Sequence, residues 1–162
     1  MDGELSLGLH VLAARLDRAA DRILRSECDV SYHRFLALFI VADSAPITQR
    51  DLAEQLGVTE PAVSRMTGVL TEAGLLDARP DPAGGNRRRL GLTTAGHELV
   101  GRCREVLEGR LAELAEASGV AYDDYAHHTW QLLATLDSGE RNAPGSAVRR
   151  QTAAAVSKGR MS

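Results

Sequence analysis

The chain has 162 residues, a formal net charge of -3, 44% hydrophobic residues, 25% charged residues and only 4% aromatic ones. This composition fits a single soluble globular domain and excludes collagen-like and mucin-like chains. No stretch approaches the roughly 20 apolar residues that span a bilayer, and the N-terminus (Met1-Asp2-Gly3-Glu4) is acidic where a signal peptide carries positive charge, so the expectation is a cytoplasmic protein with no membrane partner. Two cysteines, Cys28 and Cys103, are too few and too far apart in sequence for a disulfide scaffold or a CxxC metal pair.

The charge is unevenly spread. Residues 139–162 hold Arg141, Arg149, Arg150, Lys158 and Arg160 against Glu140 alone, so the tail is basic and the body acidic. Lys158 is the single lysine among 19 basic residues. Positive charge is therefore almost all arginine, the side chain that forks onto phosphates and guanine edges.

In chain order, Leu9, Leu12, Leu16, Ala19, Ala20, Ile23 and Leu24 recur at helical spacing between charged residues, which predicts an amphipathic helix over about 5–26. Residues 32–42 are apolar nearly all round and read as a core helix, stopped by Asp43-Ser44-Ala45-Pro46. Thr48 then caps a short helix over about 49–56, with Asp51 placed to reach back and Ile47 and Leu52 forming a hydrophobic staple. Gly57 supplies a left-handed stop, and Thr59 caps a second helix that tolerates Pro61 in its first turn. Val63, Met66, Val69 and Leu70 are expected on its inner side, with Pro61, Ser64, Arg65 and Gly68 outside and Gly74 at its end.

Beyond Gly74 the pattern becomes extended. Residues 75–79 and 87–92 read as two strands of a hairpin around a Pro- and Gly-rich loop, 80–86. Thr93 or Thr94 caps a long helix reaching about Glu116, and a last helix covers about 122–136 with Tyr125, Trp130, Leu132, Leu133 and Leu136. The tail from Ser138 reads as a flexible basic linker. The expected fold is mainly α with a small β-hairpin wing: one domain over 1–138, containing a winged helix-turn-helix lobe at 46–96.

A helix, a tight turn, a second helix and a hairpin match the dimensions of duplex DNA, whose major groove is about 12 Å wide and admits one helix. Ser64 and Arg65 are the candidates for base contacts. Thr59, Pro61, Ala62 and Gly68 share that outer surface, and short side chains there permit close approach. Arg87, Arg88 and Arg89 on the wing suit phosphate contacts or insertion into the adjacent minor groove. Strand alternation turns one of the three, most simply Arg88, the opposite way, toward an acid in the body.

The stretch DLAEQLGVTEPAVSRMTGVLTEAGLLDARPDPAGGNRRRLGLTTAGHEL resembles the DNA-binding lobe of MarR-family transcriptional regulators. The resemblance rests on Leu52, Ala53, Leu56, Gly57, Val58, Ser64, Arg65, Leu70, Gly74, Leu75, Asp81, Pro82, Leu92, Thr93 and Gly96, and the layout of about residues 5–137 follows the same plan. The family commonly carries an Asp-Arg pair about nine residues before the LT threonine. Gly84 and Gly85 stand there in this chain, and arginine comes later, at 87–89. Membership implies a homodimer built by the flanking helices (5–30 and 97–137), a pseudo-palindromic double-stranded DNA operator, and repression relieved by a small aromatic or phenolic effector. That effector would sit near Arg25, Tyr32, His33 and Arg34. The apolar stripes of the flanking helices point to the dimer independently, because one small lobe cannot bury them.

Two other functions compete. One makes Cys28 a redox sensor of the same fold, although Glu27 and Asp29 on either side should raise its thiol pKa and blunt its reactivity. The other is a winged-helix module that binds protein and not DNA. No metal or other cofactor is implied, since His10, His33, His97, His127 and His128 lack ligand spacing. No catalytic residue is assigned either, because no phosphate loop, nucleophile elbow or carboxylate pair is present, and an enzyme is not expected.

Overall fold

The computed structural model describes residues 4–81 and 88–142. Arg87, the loop at 82–86 and the tail beyond 142 lie outside the described residues, so the expectations placed on them are not addressed by it. Among the described residues, six helices and three strands follow in the order α1 (Leu5–Glu27), α2 (Tyr32–Ser44), β1 (Ile47–Thr48), α3 (Gln49–Leu56), α4 (Glu60–Glu72), β2 (Leu76–Pro80), β3 (Arg88–Leu92), α5 (Thr94–Ala117) and α6 (Tyr122–Asn142).

The helix ends follow local chemistry. At the end of α1 the chain reverses through Asp29 in the left-handed region (φ 53°), and the amides of Cys28 and Val30 both donate to the Leu24 carbonyl at 2.9 and 3.3 Å. Asp is among the few non-glycine residues that adopt this conformation readily. Ser31 caps α2 by accepting from the Arg34 amide. This helix runs to Ser44, two residues past the expected stop, because the constraint of Pro46 falls on Ala45, which is extended at ψ 139°.

β1 is a strand that the sequence pattern does not reveal. It pairs with β3 through Ile47↔Leu90 and Thr48↔Arg89, giving a three-stranded antiparallel sheet of order β1-β3-β2 in place of a bare hairpin. Two residues are too few to display alternation. Pairing places Ile47 and Leu90 side by side, and with Leu76 both are buried in the core.

One continuous core joins the helices to this sheet. Phe35, Leu38 and Val41 of α2 meet Leu52 of α3, Val63 and Leu70 of α4, and Leu99, Val100 and Cys103 of α5, while Leu24 closes it from α1. Away from this core the flanking helices are poorly covered. Leu5, Leu7, Leu9, Val11 and Leu12 of α1 and Leu132 and Leu136 of α6 are all exposed. α6 also continues beyond Leu136 into the segment that composition marks as a linker. One glycine inside a helix costs only about 1 kcal/mol, so Gly139 does not end it.

The wing meets α5 at a tight backbone contact. Thr93 caps α5 by accepting from the Gly96 amide at 3.1 Å, its hydroxyl donates to the Gly74 carbonyl at 2.6 Å, and its own amide donates to the Leu75 carbonyl at 3.1 Å. A side chain at Gly96 would collide with that same Leu75 carbonyl oxygen. Gly96→Ala is therefore expected to lower stability by about 1–3 kcal/mol, the usual cost of overpacking, measured by urea denaturation, whereas Gly101→Ala, which meets open space on the same helix, should not.

Candidate nucleic-acid interface

The helix-turn-helix is built from its caps inward. The Thr48 hydroxyl accepts from the Asp51 amide at 3.2 Å and donates to the Asp51 carboxylate at 2.7 Å. The carboxylate thus takes the hydroxyl and not the Thr48 backbone amide expected of a capping box. Ile47 and Leu52, the two ends of the staple, are both buried. Gly57 ends α3 at φ 67°, with its amide donating to the Ala53 and Glu54 carbonyls. That left-handed angle strains any residue with a side chain, which is why the turn needs glycine.

Thr59 stands at the N-cap of α4 with extended backbone, but its hydroxyl makes no capping bond, contrary to the sequence expectation. The first turn instead closes through the Thr59 carbonyl, which accepts from the amides of Ala62 and Val63. The orphan amides at this end are therefore less satisfied than those of α3.

The inner stripe of α4 differs from the expected one. Val63, Thr67 and Leu70 are buried and Met66 half-buried, but Val69 is 42% exposed. At 100° per residue, positions 63, 67 and 70 form a narrower arc than one that includes 69. Thr67 is 2% exposed, and its hydroxyl bonds to the Gln49 side-chain amide at 2.9 Å and to the Ser64 carbonyl at 3.2 Å. A polar residue thereby joins α3 to α4 with its hydrogen-bonding capacity used.

The outer face follows from that geometry. Thr59, Pro61, Ser64, Arg65 and Gly68 are exposed and Ala62 is half-buried. Arginine pairing then separates the basic residues of the lobe. Arg50 pairs with Glu54 at 3.3 Å, Arg79 with Asp77 at 2.7 Å and Arg89 with Asp81 at 3.0 Å. Arg65 and Arg88 are exposed and make no ion pair among the described residues.

Of the two described wing arginines, Arg89 is the one that turns to an acid, where sequence alternation favours Arg88. Asp81 explains the difference: its side chain is only 4% exposed just beyond β2, and Arg89 lies opposite Arg79 in the sheet register, within reach of it. Removing the cation strips a charged hydrogen bond from a buried carboxylate. Arg89→Ala should cost about 1.5–3 kcal/mol in urea denaturation, and Arg88→Ala, on the exposed neighbour, should leave stability within about 0.5 kcal/mol.

The residues expected near an effector lie at the α1–α2 elbow. Asp21, unremarked in the sequence, organises them: its carboxylate accepts from Arg25 at 2.7 Å and from the Tyr32 amide at 2.9 Å. The Arg25 hydrogen bond, then that of Tyr32, holds the Asp21 carboxyl below its ordinary range. The Tyr32 phenol is pushed up, first by burial and then by Asp17, and its ring stacks on Phe35 with centroids 6.3 Å apart. His33 and Arg34 are exposed. A carboxyl whose folded pKa is depressed stabilises the fold above its unfolded pKa, about 3.9, and that contribution fades as pH falls through the lower folded value. Acid denaturation of Asp21→Asn should accordingly show a flatter loss of stability below pH 4 than the parent chain.

An open cavity of about 410 Å³ lies elsewhere, between the end of α2 and the wing, lined by Ala45, Pro46, Arg79, Arg89, Leu90 and neighbouring residues. Cys28 and Cys103 are both buried and belong to the same core cluster, and burial first of all pushes the Cys103 thiol up to about 12. Both cysteines are free thiols. Among the described residues no cluster of His, Cys, Asp and Glu suits a metal ion, and no helix is long and apolar enough to cross a membrane.

Comparison with known proteins agrees with this geometry. Residues 29–85 match the sequence model of the MarR family. An uncharacterised HTH-type transcriptional regulator of Mycobacterium bovis is 29% identical over 112 residues, which cover 69% of this chain and 78% of that protein. Among solved structures, the apo form of wild-type MarR from E. coli superposes with a TM-score of 0.70 at 25% identity, over 82% of this chain and 97% of that one. A mutant of the same E. coli protein in complex with operator DNA gives 0.65 at 26% identity, over 82% and 93%. NadR in complex with 4-hydroxyphenylacetate shares the fold, with a TM-score of 0.65 at 22% identity over 83% and 92%.

The fold is that of a winged helix-turn-helix protein. Over residues 29–85 the chain is similar to the MarR family of transcriptional regulators.

Proposed function

We propose that the protein acts as a homodimer on a pseudo-palindromic operator, with α4 in the major groove and the wing beside it. The observation that carries this reading is the set of small and polar residues on the outer face of α4, Pro61, Ser64 and Gly68, around the exposed and unpaired Arg65. Arginine in that setting can fork onto guanine O6 and N7, while its short neighbours let the helix axis approach the base edges. Thr59 offers its hydroxyl and the under-satisfied first turn of α4 to a phosphate. Arg88 is the described wing residue with charge to spare for DNA. The structure of the E. coli protein with operator DNA supports this docking by likeness.

The dimer reading rests on the uncovered apolar residues of α1 and α6. A patch of that extent on a soluble domain marks an interface, and packing two copies about a two-fold axis buries it while presenting two recognition helices. Half-sites about one helical turn apart follow. The lobe of residues 46–96 carries six basic and six acidic residues, so affinity depends on Arg65 and Arg88, which make no ion pair among the described residues, and on having two lobes.

Repression and its relief by a small aromatic or phenolic effector complete the proposal. The NadR complex with 4-hydroxyphenylacetate supports the effector class, and the stacked Tyr32 and Phe35 with Arg104 over the Phe39 ring at 5.9 Å supply aromatic surface near the α1–α2 elbow. An effector changes operator occupancy only by binding one spacing of the two lobes better than another.

Arg65→Ala should weaken operator binding by about 10- to 100-fold, the value of one bidentate contact, with unchanged helicity by circular dichroism. Leu12→Asp combined with Leu132→Asp should convert the dimer to a monomer in light scattering. Retained affinity in the first variant, or a parent chain that is monomeric at micromolar concentration, contradicts the reading.

A further inference from the structure

The face of the wing sheet turned away from the core carries two guanidinium groups that the proposed DNA contacts leave unused. Leu76, Ala78, Leu90 and Leu92 pack on the core side of β2 and β3. Strand alternation therefore puts Asp77, Arg79, Arg89 and Gly91 on the other side, with Arg79 directly opposite Arg89 and Asp77 opposite Gly91. Like charges in that relation repel, and the Cβ atoms of such a pair lie about 4.5–5.5 Å apart. Each arginine is balanced by its own carboxylate, Arg79 by Asp77 at 2.7 Å and Arg89 by Asp81 at 3.0 Å. Both ion pairs run through Nε, and neither guanidinium makes another hydrogen bond among the described residues, so the terminal Nη donors of both are uncommitted there.

The two arginines differ in how firmly they are held. Asp81 is only 4% exposed and fixes Arg89, whereas the Arg79 side chain is 81% exposed and pairs with a carboxylate that solvent reaches. A surface pair of that kind is weak. Arg89 is thus a fixed donor, and Arg79 is one that turns at little cost. Both line the open cavity of about 410 Å³ between the end of α2 and the wing, whose apolar wall is formed by Ala45, Pro46, Leu90 and Leu92. Small-molecule sites span about 300–1,000 Å³, and this volume falls among them. Gly91 also lines the cavity, and a Cβ there would meet nothing within 4 Å. The space is open partly because this strand position lacks a side chain.

We propose that the cavity binds a small organic carboxylate with an apolar body, its two oxygens bridging Arg79 and Arg89 and its body lying over Gly91 against Pro46 and Leu92. A carboxylate between the two guanidiniums screens their mutual repulsion and takes up donors that the protein leaves unused. The two arginines and two aspartates carry no net charge together, so recognition depends on directed donors and on contact with the apolar wall. Anions without an apolar part lack the second of these. The site is separate from the aromatic surface at the α1–α2 elbow, and its occupancy requires neither the dimer nor DNA.

The test titrates the isotope-labelled full chain, without DNA, with naphthoate, naphthalenemethanol and sulfate, and reads amide and arginine Nε–H shifts by NMR. Naphthoate should give saturable shifts at Arg79, Arg89, Leu90 and Gly91. The uncharged alcohol and sulfate each lack one recognised part and should bind at least about tenfold more weakly. Arg79→Gln should weaken naphthoate binding about 10- to 100-fold, the value of a charged hydrogen bond. Gly91→Val fills the cavity from the face away from the core and should abolish the shifts, with circular dichroism unchanged in both variants. Shifts confined to the α1–α2 elbow, equal binding of naphthoate and the alcohol, or undiminished affinity in either variant overturns the inference. Sulfate binding as tightly as naphthoate overturns it too, since that result marks a plain anion site such as a DNA phosphate would use. No DNA is present, so failure of the operator reading leaves these results interpretable.

Discussion

Core packing along one narrow stripe of α4 sets the geometry of the whole lobe. Val63, Thr67 and Leu70 are the three residues of that helix that the core takes in, and they lie on one arc against α2, α3 and the sheet. Hydrophobic burial fixes the rotation of the helix about its own axis, and the Thr67 to Gln49 hydrogen bond adds a directional link that hydrophobic contact lacks. Once that rotation is set, Pro61, Ser64, Arg65 and Gly68 point outward as a consequence. The proposed recognition surface is what remains of the helix after its core face has been chosen.

The left-handed Gly57 turn and the pairing of β1 with β3 serve the same arrangement. Gly57 sets the angle at which α4 leaves α3, and β1 ties the start of α3 to the wing through Ile47↔Leu90. The wing is held on its other side by Thr93, which contacts both Gly74 and Leu75. The proposed recognition helix and the wing are therefore tied into one unit, which meets the flanking helices at a few joints. Those joints are polar: Asp21 with Arg25 and the Tyr32 amide, and Arg110 with Glu27. Polar joints with exposed partners are individually weak.

Much of this was legible in the sequence because its signals are local. Thr48, Gly57, Pro61 and Thr93 each impose a backbone state through their own chemistry, and the helix-turn-helix bounds follow from them. Four features were not legible, each because it depends on a partner distant in the chain. β1 exists only through pairing with β3. The position of Arg89 is decided by Asp81, whose burial the sequence does not reveal. Val69 is excluded from the core by Thr67, a threonine made acceptable inside by Gln49, 18 residues earlier. Cys28 and Cys103 are 75 positions apart and share one core because α1 packs against α5. The reach of α6 to Asn142 is a different case, where composition suggested a linker and helix propagation prevailed.

The proposed reading of one DNA sequence by two copies of this lobe in two-fold register is open to direct test. The most direct measurement is selection of fragments from the source genome by the purified, reduced chain at near-physiological salt, with sequencing of what is retained. The account predicts enrichment of a shared pseudo-palindrome whose half-sites lie about one helical turn apart. Retention of fragments with no common sequence, or of a single unrepeated half-site by a folded dimer, would contradict it.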